Sequence, residues 1–62
     1  MTMYENLPHD PVMLLSFVNT QLRDHYVSLD AFCDAFSVKA DDIQKSLGTI
    51  DYEYDATQNQ FI

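Results

Sequence analysis

The sequence predicts a mainly α fold: three helices, the second and third in a helix-turn-helix-like arrangement, closed by a C-terminal β-hairpin. Three observations predict it. Two helix starts carry their own capping residues, Asp10 ahead of Pro11 and Ser28 ahead of Asp30. Apolar residues between Leu14 and Leu47 recur at helical spacing, and beyond Gly48 the hydrophobic period drops from about 3.6 to two.

In His9-Asp10-Pro11-Val12 the aspartate can accept bonds from orphan backbone amides, and proline suits the first helical position. At about 100° per residue, Leu14, Leu15, Val18, Leu22, His25 and Tyr26 share an arc of roughly 120°, with Ser16, Asn19, Thr20 and Arg23 opposite. Met13 and Phe17 fall outside that arc, one turn apart, and form a second apolar stripe that needs its own cover. The C-terminal hairpin can supply it through Tyr52, Tyr54 or Phe61; the other reading is an interface open to a partner.

Ser28 caps the second helix, where Leu29, Phe32, Cys33 and Phe36 follow the i, i+3, i+4, i+7 spacing of a buried face. A break at Ser37-Val38-Lys39 leads into a third helix, Asp41 to Leu47, with Gly48 placed to end it in a left-handed conformation. Ile50, Tyr52 and Tyr54 then alternate with Asp51, Glu53 and Asp55 as a half-buried strand. Asp55-Ala56-Thr57-Gln58-Asn59 can turn the chain, asparagine tolerating positive φ, and Gln60-Phe61-Ile62 returns as a second strand. One domain over residues 1–62 is expected, with 1–6 as a loose arm.

Leu29 to Leu47 resembles a helix-turn-helix, except that Ser37 stands where such turns usually carry glycine. With a long helix before it and a hairpin after it, the order resembles a minimal winged helix. DNA recognition by such a unit needs the third helix to present cations and amides to base edges. Here that helix offers Asp41, Asp42, Gln44 and Lys45, in a chain with ten acidic residues, three basic ones and a formal net charge of −7. Direct nucleic-acid binding and adhesion to anionic membranes are both disfavoured. No apolar run is long enough to cross a bilayer.

A lone cysteine, Cys33, forms no intrachain disulfide, which points to a reducing, cytoplasmic setting. Mid-helix between Phe32 and Asp34, it reads as core rather than nucleophile. Cys33, His9 and His25 lack the spacing of a metal site, and the acidic pairs read as solvated faces. Neither a catalytic constellation nor a cofactor or metal site is expected. Arg23 beside Asp24 reads as an exposed salt bridge or as a bidentate grip on a partner's carboxylate.

Asn6-Leu7-Pro8-His9-Asp10-Pro11, Met13-Leu14-Leu15-Ser16-Phe17-Val18-Asn19-Thr20, Leu22-Arg23-Asp24, Ser28-Leu29-Asp30-Ala31, Tyr52-Glu53-Tyr54-Asp55 and Gln58-Asn59-Gln60-Phe61 together resemble a family of very short bacterial proteins, catalogued as domain of unknown function 4250. The resemblance covers nearly the whole chain. It implies a bacterial, stand-alone, cytoplasmic small protein and carries over no catalytic or binding residue.

These readings lead to an expected non-enzymatic protein–protein interaction module, with Met13, Phe17, Arg23, Gln44 and Lys45 as candidate partner-binding residues. The partner is another protein or a second copy, since an exposed hairpin edge invites pairing and a homodimer buries more core. The alternative is a winged-helix-like DNA-associated transcriptional regulator, which would have to dimerise or recruit a basic partner to offset its own charge.

Overall fold

A computed structural model describes residues 7–62. Three helices, α1 (Pro11–Asp24), α2 (Leu29–Phe36) and α3 (Ala40–Gly48), precede an antiparallel pair, β1 (Tyr54–Asp55) and β2 (Gln60–Phe61). The fold is mainly helical with a C-terminal hairpin, as the periodicities predict.

Both expected caps form. The Asp10 carboxylate accepts from the Met13 amide at 3.1 Å, and the Ser28 hydroxyl accepts from the Ala31 amide at 3.1 Å. The turn between α2 and α3 is closed by Ser37 itself, which takes the left-handed conformation at φ 58° that glycine would adopt more cheaply. The Val38 amide reaches the Cys33 carbonyl at 3.0 Å and the Ser37 amide reaches Asp34 at 3.4 Å, the two bonds of a Schellman closure. Val38 and Cys33 are both buried beneath it.

Gly48 requires a correction. It is the last residue of α3 and no glycine has positive φ; the left-handed position falls on Asp51, at φ 66°. There the Tyr52 amide reaches the Leu47 carbonyl at 3.1 Å and the Asp51 amide reaches Gly48 at 3.0 Å, a second Schellman closure. The same geometry shortens the expected strand. Because Asp51 breaks the extended chain and Tyr52 donates back to the helix, β1 begins only at Tyr54. One further rung lies outside it, where Glu53 and Ile62 exchange amide–carbonyl bonds of 2.9 Å each way.

The core draws Leu14, Val18 and Leu22 from α1, Leu29, Phe32 and Cys33 from α2, and Ile43 and Leu47 from α3, with Leu7, Val38 and Phe61 completing it. His25, expected on the inner arc, is exposed, because α1 ends at Asp24 and the next residue leaves the helical wheel. Asn19 departs in the other direction. Placed by the wheel on the polar side, it is half-buried and clamps the hairpin: its Nδ2 donates to the Phe61 carbonyl at 3.1 Å while its Oδ1 accepts from the Phe61 amide at 2.8 Å. Since Glu53 and Ile62 make the ladder bonds, the backbone groups of Phe61 point away from β1 and toward α1. The outer edge of β2 is thus closed at Phe61 within the chain.

A second asparagine completes the seam. Asn59 sits at φ 54°, as the turn composition predicts. Its Nδ2 donates to the carbonyls of Leu22 (3.1 Å) and Tyr26 (3.0 Å), and its Oδ1 accepts from the Tyr54 hydroxyl at 2.7 Å. That hydroxyl in turn accepts from the Leu29 amide at the start of α2, 3.2 Å away. The hairpin is therefore fastened to α1 through the side-chain amides of Asn19 and Asn59 and to α2 through the Tyr54 hydroxyl.

Candidate functional site

The apolar stripe on α1 combines a covered aromatic with an exposed methionine. Phe17 is half-buried, with its ring edge-on to Phe36 at 5.7 Å and to Phe32 at 6.3 Å. Phe32 and Phe36 stack at 4.7 Å, and Tyr26 closes the cluster at 5.8 and 6.1 Å from them. The aromatic cover that Phe17 needs thus comes from α2, not from the hairpin. Tyr54 and Phe61 instead pair with each other at 5.5 Å, and Tyr52, 36% exposed, lines a different hollow.

Among the described residues Met13 has no such aromatic neighbour, and it is 62% exposed. Together with Pro8, Ser16, Phe17, Thr20 and Gln21 it lines an open groove of about 380 Å³. The groove's floor is apolar and its flanks are neutral hydroxyls and an amide. Aromatic packing on one side fixes Phe17, while the unbranched thioether of Met13 stays free to adapt.

The other candidate residues go elsewhere. Arg23 turns onto its neighbour, donating from Nε and a terminal nitrogen to the two Asp24 oxygens at 2.9 and 3.0 Å. That hydrogen bond lowers the pKa of the Asp24 carboxyl and raises that of the guanidinium. Both side chains are well exposed, so the pair adds little to stability. Gln44 lines a second hollow of about 290 Å³ with Gly48, Tyr52, Glu53 and Tyr54. Lys45 is exposed in the last turn of α3 and lines neither space. A smaller hollow of about 160 Å³ lies between Pro8, His9, Leu14 and Ser46. Of the five candidates, only Met13 and Phe17 share a site.

Pro8, Ser16, Thr20 and Gln21 escaped the sequence reading, because polar residues flanking an apolar stripe look like ordinary solvated surface. Their signal was positional: on α1, Ser16, Thr20 and Gln21 lie three or four residues from Met13 or Phe17. Cys33 is buried in the core, and burial, with Asp30 and Asp34 nearby, pushes its thiol up to about 11. A thiol so protonated at neutral pH is a poor nucleophile. Among the described residues no cluster of three histidines, cysteines or carboxylates could hold a metal ion, and no helix is long and apolar enough to cross a membrane.

No curated protein matches the chain, and no solved structure does. The family model described as a domain of unknown function, DUF4250, matches residues 8–61. Its span takes in all three helices, both strands and the whole lining of the α1 groove, and on that match the chain belongs to the DUF4250 family.

Proposed function

We propose that the protein is a non-enzymatic interaction module of the bacterial cytoplasm that works through protein contacts made at the α1 groove. The observation that carries this reading is the groove itself: Met13, exposed, beside a Phe17 held rigid by Phe32 and Phe36. Methionine and aromatics are enriched at protein interfaces. A lone, free Cys33 is in keeping with a reducing compartment, and its burial argues against thiol chemistry.

The winged-helix-like regulator draws on the closed turn at Ser37, which sets α3 after α2 as a helix-turn-helix does. Its difficulty is electrostatic. Asp41 and Asp42 occupy the first turn of α3, and Lys45 is the helix's only cation. A tagged pull-down of the full chain, with and without nuclease, separates the two. Partners that survive nuclease are expected; recovery that collapses with nuclease overturns the interaction reading in favour of the DNA-associated one. Sizing with light scattering reports the homodimer within the same reading.

A further inference from the structure

We propose that the free edge of β1 takes an extended segment of another protein as an antiparallel third strand, one that carries lysine or arginine on each side of the residue facing Tyr54. This surface is a second one, sharing no lining residue with the α1 groove.

The ladder leaves one edge open. Glu53 and Ile62 exchange both backbone bonds at 2.9 Å, so at the next residue, Tyr54, the amide and carbonyl point away from β2. Phe61, paired with Tyr54 in register, turns its own backbone groups the other way, where Asn19 closes them. Nothing among the described residues does the same for Tyr54, whose hydrogen bonds run through its hydroxyl to Leu29 and Asn59. Tyr52 gives its amide to the Leu47 carbonyl at 3.1 Å, so the open edge is short and starts beyond α3.

Beside this edge lies the hollow of about 290 Å³, with Gln44 and Gly48, one turn apart on α3, lining it together with Tyr52, Glu53 and Tyr54. Gly48 leaves space on its side, since no atom lies within 4 Å of where a Cβ would stand. A backbone donor and acceptor on one residue are answered together by one residue of an antiparallel strand. The body of a helix, its backbone groups bonded internally, cannot answer them.

Register then assigns the charge. The residues flanking the one opposite Tyr54 stand across from Glu53 and Asp55, on the face that Tyr54 does not share. Glu53 is exposed, and the Asp55 carboxylate accepts only from the Thr57 amide at 2.9 Å and Gln58 Nε2 at 3.2 Å. Neither carboxylate has a cationic partner among the described residues, where the ion pair is Arg23 with Asp24. A second copy docked antiparallel through Tyr54 would set Glu53 against Asp55 twice, like charges in the closer type of cross-strand pair. Lysine or arginine at both flanking positions turns the same two contacts into opposite-charge pairs. The edge therefore repels this chain's own strand and suits a basic one.

The test is a titration of isotope-labelled full-length protein with a designed peptide of about seven residues, a central valine between two lysines with threonines outside. One control peptide carries N-methylvaline, which removes the donor that the Tyr54 carbonyl needs, and another replaces both lysines by glutamate. The Tyr54 amide is expected to move downfield and exchange more slowly, the Gln44 and Gly48 amides to move with it, and those of Met13 and Phe17 to stay. Binding should vanish with N-methylvaline, weaken about tenfold or more with glutamate, and weaken about fivefold in the exposed-site variant Glu53→Lys. The glutamate peptide reads the same charge pairing without altering the protein. Equal binding of either control, an unmoved Tyr54 amide, shifts centred on Met13 and Phe17, or no binding up to about 1 mM overturns the proposal. So does a Tyr54 shift that grows with protein concentration alone, which would seat a second copy at the edge. Met13→Lys should leave this binding unchanged, so partners lost from that variant bear on the α1 groove alone.

Discussion

On one side of α1, Asn19 meets the backbone of Phe61 with a donor and an acceptor at 3.1 and 2.8 Å, and the hairpin edge is closed. Around the helix, Met13 lies 62% exposed over a groove that nothing among the described residues fills. Polarity alone would assign these two residues the reverse roles, amide to solvent and thioether to core. Only a side-chain amide offers a strand edge both a donor and an acceptor in one plane, which makes Asn19 a structural residue. Methionine loses little by remaining at a surface and gains when that surface is used. The difference separates what holds the fold from what is left for a partner, and substitutions on the two sides should separate in the same way.

The largest effect is expected at Asn59, the most connected residue of the amide seam. Asn59→Ala strands the carbonyls of Leu22 and Tyr26, removes the acceptor of the Tyr54 hydroxyl and puts alanine at φ 54°. At about 1–3 kcal/mol per unsatisfied buried group, discounted for partial exposure, the cost is on the order of 3 kcal/mol. A chain of this length rarely has more than about 3–5 kcal/mol to lose. Urea melts followed by circular dichroism should show a largely unfolded variant at 37 °C; a loss under about 1 kcal/mol would mean that water replaces the amide at all three partners.

Phe17→Ala comes next, and it marks where the groove side stops being spare. The ring leaves Phe32 and Phe36 without their edge-on neighbour. Full burial would make the cost about 3–5 kcal/mol, and half-burial brings it to roughly 2. The same melts check it. A variant as stable as wild type would show that Phe17 belongs wholly to the open surface, erasing the line between floor and core.

Asn19→Ala should cost about 1.5 kcal/mol, two hydrogen bonds at a partly solvated seam. Hydrogen exchange gives the sharper readout: the Phe61 amide should lose protection while the Glu53 and Ile62 amides, paired across the hairpin, lose less. Uniform loss over the hairpin would mean that the clamp holds the whole strand pair in place rather than closing one edge.

The helices were legible in the sequence because each had a local signature: a cap at Asp10, a cap at Ser28, and leucines and phenylalanines at helical spacing. The hairpin turn was legible for the same reason, through Asn59. What escaped was set by partners distant in sequence. Asn19 reads as surface until Phe61, 42 residues on, takes both ends of its amide. Ile50, Tyr52 and Tyr54 read as one strand until the closure of α3 captures the Tyr52 amide. Within the candidate site, the pairing of Met13 with Phe17 followed from their spacing, whereas the source of the cover, α2 rather than the hairpin, did not. Periodicity places a residue on a face without saying which element arrives there.

Gly48 gives the smallest effect and the cleanest sign. Had it closed α3 in a left-handed conformation, Gly48→Ala would destabilise the protein by about 1 kcal/mol or more. As the last helical residue, with positive φ carried instead by Asp51 and nothing within 4 Å of an added Cβ, it should accept alanine freely. The expected outcome is a gain of up to about 0.5–1 kcal/mol, through a less flexible unfolded chain and a better helix former. Because Gly48 also lines the hollow beside Gln44 and Tyr52, its methyl group narrows that space and leaves the Met13 groove untouched. Recovery of partners that depend on the α1 groove should therefore be unchanged in a slightly more stable protein. A drop in that recovery in this variant would place their binding surface on the α3 side, and a drop in stability would return the left-handed turn to Gly48.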